Sequence, residues 1–361
     1  MLTSTCNTFP ESDPMTDTPS TRRPRPTRGP SMGDVAAHAG VSSQTVSRVA
    51  NGLSNVEETT RSRVLTSMQV LGYRPNKAAR ALRSGRFRNI GVVMFTLSSF
   101  GNMRTLDAIA LSAARAGYSL TIVPVEHPTQ QDVSVAFTRL LEQAVDGIVI
   151  VIEAHIVDEA DVELPPGLPV VVIDSSARTD YPVVDTDQAL GARQATQHLL
   201  QLGHPTVWHV AGPESSYSAA RREGSWRETL EAAGRPVPPV FRGDWSTASG
   251  YEAGLQIARQ PDVSAVFTAN DQMALGVLRA LHEKGRRVPH DVSVVGFDDM
   301  AESDSFWPPL TTVHQDFDIV GRQAIEILLT EIEHGLRRPA TVVTPTRLVV
   351  RESTGPFARL T

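Results

Sequence analysis

The chain has one cysteine, Cys6, in 361 residues, and aromatic residues make up only 6% of it. A lone thiol excludes an internal disulfide and a multi-cysteine metal site, so the cytoplasm is the expected compartment. Long hydrophobic runs are missing too. The longest, such as Gly147 to Ile152, fall far short of the roughly 18 apolar residues that a membrane-spanning helix requires. The first thirty residues lack the apolar stretch of a secretory signal. Lysine is nearly absent: Lys77 and Lys284 are the only two among 34 basic residues. That bias reads as genome-wide codon usage, so any one arginine carries less meaning than usual. No repeat with a period of 20 to 50 residues is found.

What is present is a chain long enough for two or three compact units, 40% of it hydrophobic and 20% charged. The charge is segregated. Residues 1–88 hold 13 Lys and Arg against 6 Asp and Glu, which leaves 21 against 34 in residues 89–361. A basic head on an acidic body argues for an anionic partner held at the head, and nucleic acid is the commonest such partner.

Residues 1–30 show no periodicity and contain six prolines, the composition of a disordered arm; Met15 is an alternative start. Residues 31–74 read as three short helices. Ser31 with Asp34 forms a capping-box pattern, Gly40 stops the first helix, Ser42 caps the second, and a third runs from about Glu57 to Leu71 before Gly72 and Pro75. Glu57 is an unusual residue at a cap, with Asn55 as a substitute. Ala36, Ala37 and Ala39 are small enough for close helix crossing. In the second helix Val46 and Val49 face one way, while Ser43, Gln44, Ser47 and Arg48 occupy the opposite, wet face. Two short helices around a glycine turn, the second presenting polar forks, form a helix-turn-helix that can reach base edges in a major groove.

From residue 89 onward, short apolar runs alternate with helical stretches. The strands expected are 89–95, 118–125, 146–152, 168–174, 206–212, 264–270 and 291–299. Their near-continuous apolar character suits parallel strands covered on both faces, and the helix-strand order restarts after Asp187. The expected fold is α/β: a helix-turn-helix head, then a two-lobed core of doubly wound parallel sheets over 89–355. Lobe 1 is expected at about 89–186 and 317–345, lobe 2 at about 187–316 and 346–355, with a tail at 356–361. Polar residues at strand carboxyl ends face the crevice in such sheets, which singles out Asp174, Asn270 and Asp298. Arg222, Trp245, Gln315 and Phe317 add the forks and aromatic plates that suit a sugar's hydroxyls and C–H faces.

The segments DVAAHAGVSSQTVSRVANG and GYRPNKAARALRSG resemble the DNA-binding head of the lac repressor (LacI/GalR) family. VAGPESSYSAARREGSW, GDWSTASGY, ANDQMALGVLRAL, DVSVVGFDDM and PPLTTVHQDF extend the likeness over roughly residues 31–355. The resemblance implies a sugar-binding core of the periplasmic-binding-protein type and a homodimer on a pseudo-palindromic double-stranded operator. It puts Ser43 and Gln44 at the start of the recognition helix, with Ser47, Arg48 and Asn51 also at the DNA. It makes residues 75–88 a hinge helix and linker, in which Asn76 and Ala79 meet the minor groove and Leu82 levers open a base step. It aligns Asp174, Arg222, Trp245, Asn270, Asp298, Gln315 and Phe317 with effector contacts, and a galactoside or related small sugar with the cleft. Phe95 and Thr186 depart from the pattern, where a serine and a phenylalanine are expected, and they imply an altered cleft wall on one side. The chain ends at Thr361 without a tetramerising leucine-heptad helix, so a dimer is expected.

Other functions find less support. Glycoside hydrolysis needs two carboxylates flanking one bond, whereas Asp298 and Asp299 are adjacent in sequence and so diverge. His204, His209 and His314 show no metal-ligand spacing, and no Walker phosphate loop is present. No catalytic residue, cofactor, metal or membrane partner is expected. A sugar-binding transport or chemosensory component would match the core alone, but not the basic head. The reading is a cytoplasmic, sugar-responsive transcriptional repressor.

Overall fold

A computed structural model describes residues 29–74, 85–97, 99–125, 130–151, 167–174, 181–335 and 340–357. The arm up to residue 28 and the hinge residues Asn76, Ala79 and Leu82 lie outside the described residues. The chain divides into two compact units, residues 1–79 and 80–361.

The first unit holds α1 (Met32–Ala39), α2 (Ser43–Ala50) and α3 (Glu58–Leu71). Local chemistry sets their ends. Ser31 Oγ accepts from the Asp34 N–H at 3.3 Å, and the Asp34 carboxylate accepts from the Ser31 N–H at 2.7 Å. Gly40 closes α1 at φ 63°, a left-handed geometry that costs glycine nothing. The Ser42 side chain caps α2. Val35, Ala36, Ala39, Val46, Val49, Val64 and Met68 form the core. Ala37 is exposed, a correction to the expected crossing: one residue on from Ala36 is about 100° round the helix. In α3 Leu71 is half-buried and Ser67 is buried, bonded to His38 Nδ1 at 3.0 Å. Glu57 caps α3 without any side-chain bond, so Asn55 supplies no substitute.

The second unit contains two six-stranded sheets. The first is built from β1 (Asn89–Met94), β2 (Ser119–Pro124), β3 (Gly147–Val151), β4 (Val170–Ile173), β5 (Val183–Thr186) and, from far along the chain, β11 (Thr341–Thr344). Its order is β11-β5-β4-β3-β1-β2, all parallel. Helices α4 (Phe100–Arg115), α5 (Gln130–Glu142) and α10 (Phe317–His334) cover it, with a separate apolar cluster on each face. The second sheet uses β6 (Trp208–Ala211), β7 (Phe241–Arg242), β8 (Ala265–Thr268), β9 (Ser293–Asp298), β10 (Thr311–His314) and β12 (Arg347–Val349) in the order β12-β10-β9-β8-β6-β7. Its helices are α6 (Gln188–Gln201), α7 (Tyr217–Ala232), α8 (Thr247–Ile257) and α9 (Asp271–Glu283), again with a cluster on each face. Burial on both faces is why the strands read as unbroken apolar runs.

Two features differ from the sequence reading. β12 runs antiparallel to β10, on the edge of an otherwise parallel sheet. Five strands, β5, β7, β10, β11 and β12, are short or carry polar residues and gave no apolar-run signal. In β10 the buried Thr311 and Thr312 have hydroxyl partners in Thr354 and Asp271, which removes the cost of burying them. The chain passes between the two lobes at residues 186–188, 314–317 and 344–347, and the cleft lies between the lobes.

Candidate effector cleft and DNA-reading helix

In the first unit the polar face of α2 stands clear of the core. Ser43, Gln44 and Arg48 are exposed, and Ser47 is half-buried. Asn51 is exposed and terminates the helix: its amide donates to the Ser47 carbonyl at 2.7 Å and reaches Ser47 Oγ at 3.3 Å. A 3.6-residue period places Gln44 and Arg48 one turn apart, as required for two side chains to enter one groove together.

In the second unit the cleft is lined by Asp174, Arg222, Trp245, Asn270, Asp298, Gln315 and Phe317 together. These come from segments up to 143 residues apart. Asp174 follows β4, Asn270 precedes α9, Asp298 ends β9 and Gln315 follows β10, all strand carboxyl ends. Four backbone positions there are unusual. Asp174 (φ 58°), Trp245 (φ 72°), Asp298 (φ 110°) and the adjacent Asp299 (φ 56°) all have positive φ. Such conformations cost about 1–3 kcal/mol each and persist where surrounding packing over-determines them, commonly at ligand sites. The Trp245 ring lies so close to Gly212 that a Cβ there would fall 2.4 Å from it.

The polar side chains form a connected network. Gln315 Nε2 donates to Asp298 Oδ1 at 2.7 Å, and Gln188 Nε2 donates to Gln315 Oε1 at 3.1 Å. Arg222 Nε donates to Gln188 Oε1 at 2.8 Å, its terminal nitrogen donates to the Ala269 carbonyl, and its guanidinium lies 3.8 Å from Asp298. The guanidinium also sits over the Phe297 ring, 3.8 Å from its centroid, and 5.5 Å from that of Trp245. Both ion-pair partners are 5% exposed, so the pair is held in low dielectric by hydrogen bonds and rings instead of by water. Asn270 is engaged at both ends: its oxygen caps α9 through the Met273 N–H at 2.8 Å, and its nitrogen donates to the Trp245 carbonyl at 3.0 Å. One amide N–H and one lone pair remain for a ligand. Trp245 Nε1 is buried with no hydrogen-bond partner among the described residues.

Asp299 turns toward His314 Nδ1 at 2.9 Å and Arg351 at 2.6 Å, so the two adjacent carboxylates serve different neighbours. His204 bonds Ser264 and Ser293, and His209 is stacked between Trp226 and Phe267. Among the described residues no group of three or more His, Cys, Asp or Glu is placed to hold a metal ion. Thr186 lines the cleft and is buried, but Phe95 does not; it packs against the apolar cluster of its lobe, which corrects the expectation that both alter one wall.

Several cleft residues escaped the sequence reading. Gln188 and Ser218 line it from the first turns of their helices, Ser99 from the N-cap of α4 and Thr105 from its second turn. The one local signal available was a helix start next to a strand end. Beside the cleft, Asp185 stands in β5, where burial and then the neighbouring Asp174 carboxylate push it up to about 8.

A three-helix head with an exposed polar recognition face, followed by a two-lobed α/β core with a buried polar cleft, defines a ligand-responsive DNA-binding regulator. The chain belongs to the lacI family of bacterial regulatory proteins, whose model matches residues 31–76, while the periplasmic binding protein-like domain matches residues 196–354. It is 36% identical over 325 residues to the lactose operon repressor of Escherichia coli K12, covering 89% of each chain. It is 35% identical over 348 residues to the transcriptional regulator CelR of Thermobifida fusca, covering 90% of this chain and 98% of that one. Among solved structures, the lac repressor dimer bound to operator and the anti-inducer ONPF superposes with a TM-score of 0.81 at 35% identity, covering 91% of this chain and all of that one. These relatives are transcriptional regulators. No helix among the described residues is long and apolar enough to cross a membrane.

Proposed function

We propose that the protein is a cytoplasmic transcriptional repressor of sugar-utilisation genes that acts as a homodimer on a pseudo-palindromic operator and responds to a small sugar, of galactoside type, in the interlobe cleft. Ser43, Gln44, Ser47, Arg48 and Asn51 read the operator. Asn76, Ala79 and Leu82 of the hinge, which lie outside the described residues, enter the minor groove. Asp174, Arg222, Trp245, Asn270, Asp298, Gln315 and Phe317 hold the sugar without turning it over. The observation that carries this reading is the buried Asp298–Gln315–Gln188–Arg222 network beside Trp245 and Phe317. Fixed acceptors and forked donors next to apolar ring faces are what a pyranose demands, with its directed hydroxyls and C–H faces. A lactose operon repressor and a CelR–cellobiose complex among the relatives agree with that chemistry.

The mechanism is linkage. A sugar that binds one closure state of the lobes better than the other shifts their equilibrium, and operator affinity changes by no more than that differential affinity. Selection of operator sequences from random duplexes, followed by thermal-shift screening of a sugar panel and operator binding with each hit, tests both halves. Removal of residues 1–88 should abolish operator binding and leave sugar affinity nearly intact. A core that still selected the operator would overturn the assignment of the head.

A further inference from the structure

Phe100 opens α4 in one lobe, and its N–H donates to Oε1 of Gln272, the second residue of α9 in the other lobe, at 3.3 Å. The two residues lie 172 apart in sequence, and neither is in a crossover or in the lining of the cleft. Chain connectivity therefore does not impose the contact. Phe100 is flanked by Ser99 and Gly101, and Gln272 lies two residues past Asn270, all three of which line the cleft.

Each end is firmly seated. The Asp271 carboxylate, beside Gln272, accepts from the Met300 N–H at 2.9 Å, from Ser303 Oγ at 2.7 Å and from Thr312 Oγ1 at 2.5 Å, which ties the start of α9 to two other segments of its lobe, the turn at 300–303 and β10. The Phe100 ring meets Phe317 edge-on at 5.9 Å between centroids. The Phe100 N–H is one of the first-turn donors that have no partner within their own helix, and the positive end of the α4 dipole favours an acceptor there. Gln272 supplies that acceptor only while the lobes are close.

We propose that Gln272 is a positioning residue for the effector cleft: its bond to Phe100 latches the lobes closed, and its strength sets the closed fraction before any ligand binds. The proposal rests on the cleft being the effector site. A ligand that needs the closed state binds more weakly in proportion as that state is depopulated, so the latch tunes apparent affinity without touching the ligand.

The test uses the full chain with Cys6→Ser and spin labels on cysteines at the exposed positions Ala114 and Glu231, one in each lobe. Interlobe distances are measured by pulsed electron resonance without ligand, and lactose and cellobiose then serve as probes of binding. Gln272→Leu keeps the shape and removes the acceptor; Gln272→Glu keeps the acceptor and adds charge that suits the dipole. We expect Gln272→Leu to shift the open-to-closed ratio toward open by roughly two- to tenfold, the worth of one neutral hydrogen bond. Gln272→Glu should leave the ratio at the wild-type value or move it toward closed. A probe that binds should lose affinity with Gln272→Leu by no more than that same factor. Distances unchanged by Gln272→Leu, or opened as far by Gln272→Glu, would overturn the latch. Because the distance measurement needs no ligand, a chain that bound neither probe would count against the sugar reading and leave the latch decided.

Discussion

Gln315 holds Asp298 in place: its amide donates to Oδ1 at 2.7 Å, from a residue 17 positions further along the chain and just past the end of the neighbouring strand. The same carboxylate faces the Arg222 guanidinium at 3.8 Å, and Asp298 itself sits at φ 110°. A strained backbone, an ion pair and a neutral donor thus converge on one acceptor in the cleft.

Asp298→Asn preserves size and removes the charge-assisted acceptor. Sugar affinity should fall by about 1.5–3 kcal/mol, while operator affinity without sugar should stay within about 0.5 kcal/mol of wild type. Calorimetric titration of the best sugar from the panel, run beside operator binding, gives both numbers. An unchanged sugar response would remove Asp298 from the effector site.

Gln44 stands exposed on the second helix of the head, free to meet a base edge. Gln44→Ala should cost about 1–3 kcal/mol on the selected operator and far less on random duplex of the same length. Competition assays at one fixed salt concentration measure the difference, since the phosphate contribution varies steeply with salt. Equal losses on both duplexes would place Gln44 at the backbone instead of a base.

Asp185 gives the first lobe a dependence on pH. Its folded-state pKa, raised to about 8 by burial and by Asp174, lies above its value in the unfolded chain. Its contribution to stability is therefore fully present below about pH 4 and is lost as pH rises through about 8. Asp185→Asn cannot ionise, so at pH 9 it should be more stable than wild type by at least about 1 kcal/mol, with the gap closing toward pH 4. Melting curves across that range decide it; a gap independent of pH would show that the charge is not the cause.

His209 has the opposite sign. Complete burial between Trp226 and Phe267 lowers its pKa to about 4, so its contribution is present above about pH 6.5 and is lost as pH falls toward 4. His209→Phe keeps the stacking and loses the bond to the Phe267 carbonyl, at a constant cost of about 1 kcal/mol. Against that offset, the acid limb of wild type should be steeper, by a total on the order of 3 kcal/mol between pH 6.5 and pH 4. Parallel acid limbs in the two proteins would rule out protonation of this histidine as the source.

The head was legible from the sequence because its determinants are local: Ser31 with Asp34, Gly40 and Ser42 act within four residues, and the face carrying Gln44 and Arg48 follows from helical period alone. The seven long apolar strands were legible for the same kind of reason, since burial on both faces leaves a continuous run. Asp174, Asn270 and Asp298 could be named as cleft residues because a strand's carboxyl end is a position in sequence as well as in space. Tertiary structure alone decided the rest. That Gln188 joins Gln315 to Arg222, that Asp299 turns to His314 while Asp298 turns to Arg222, that β12 runs antiparallel, and that Asp185 lies against Asp174 all depend on which distant segments pack together. Caps and periodicities are written in neighbouring residues; the partner of a buried polar atom, and the solvent it loses, exist only once the lobes have assembled around it.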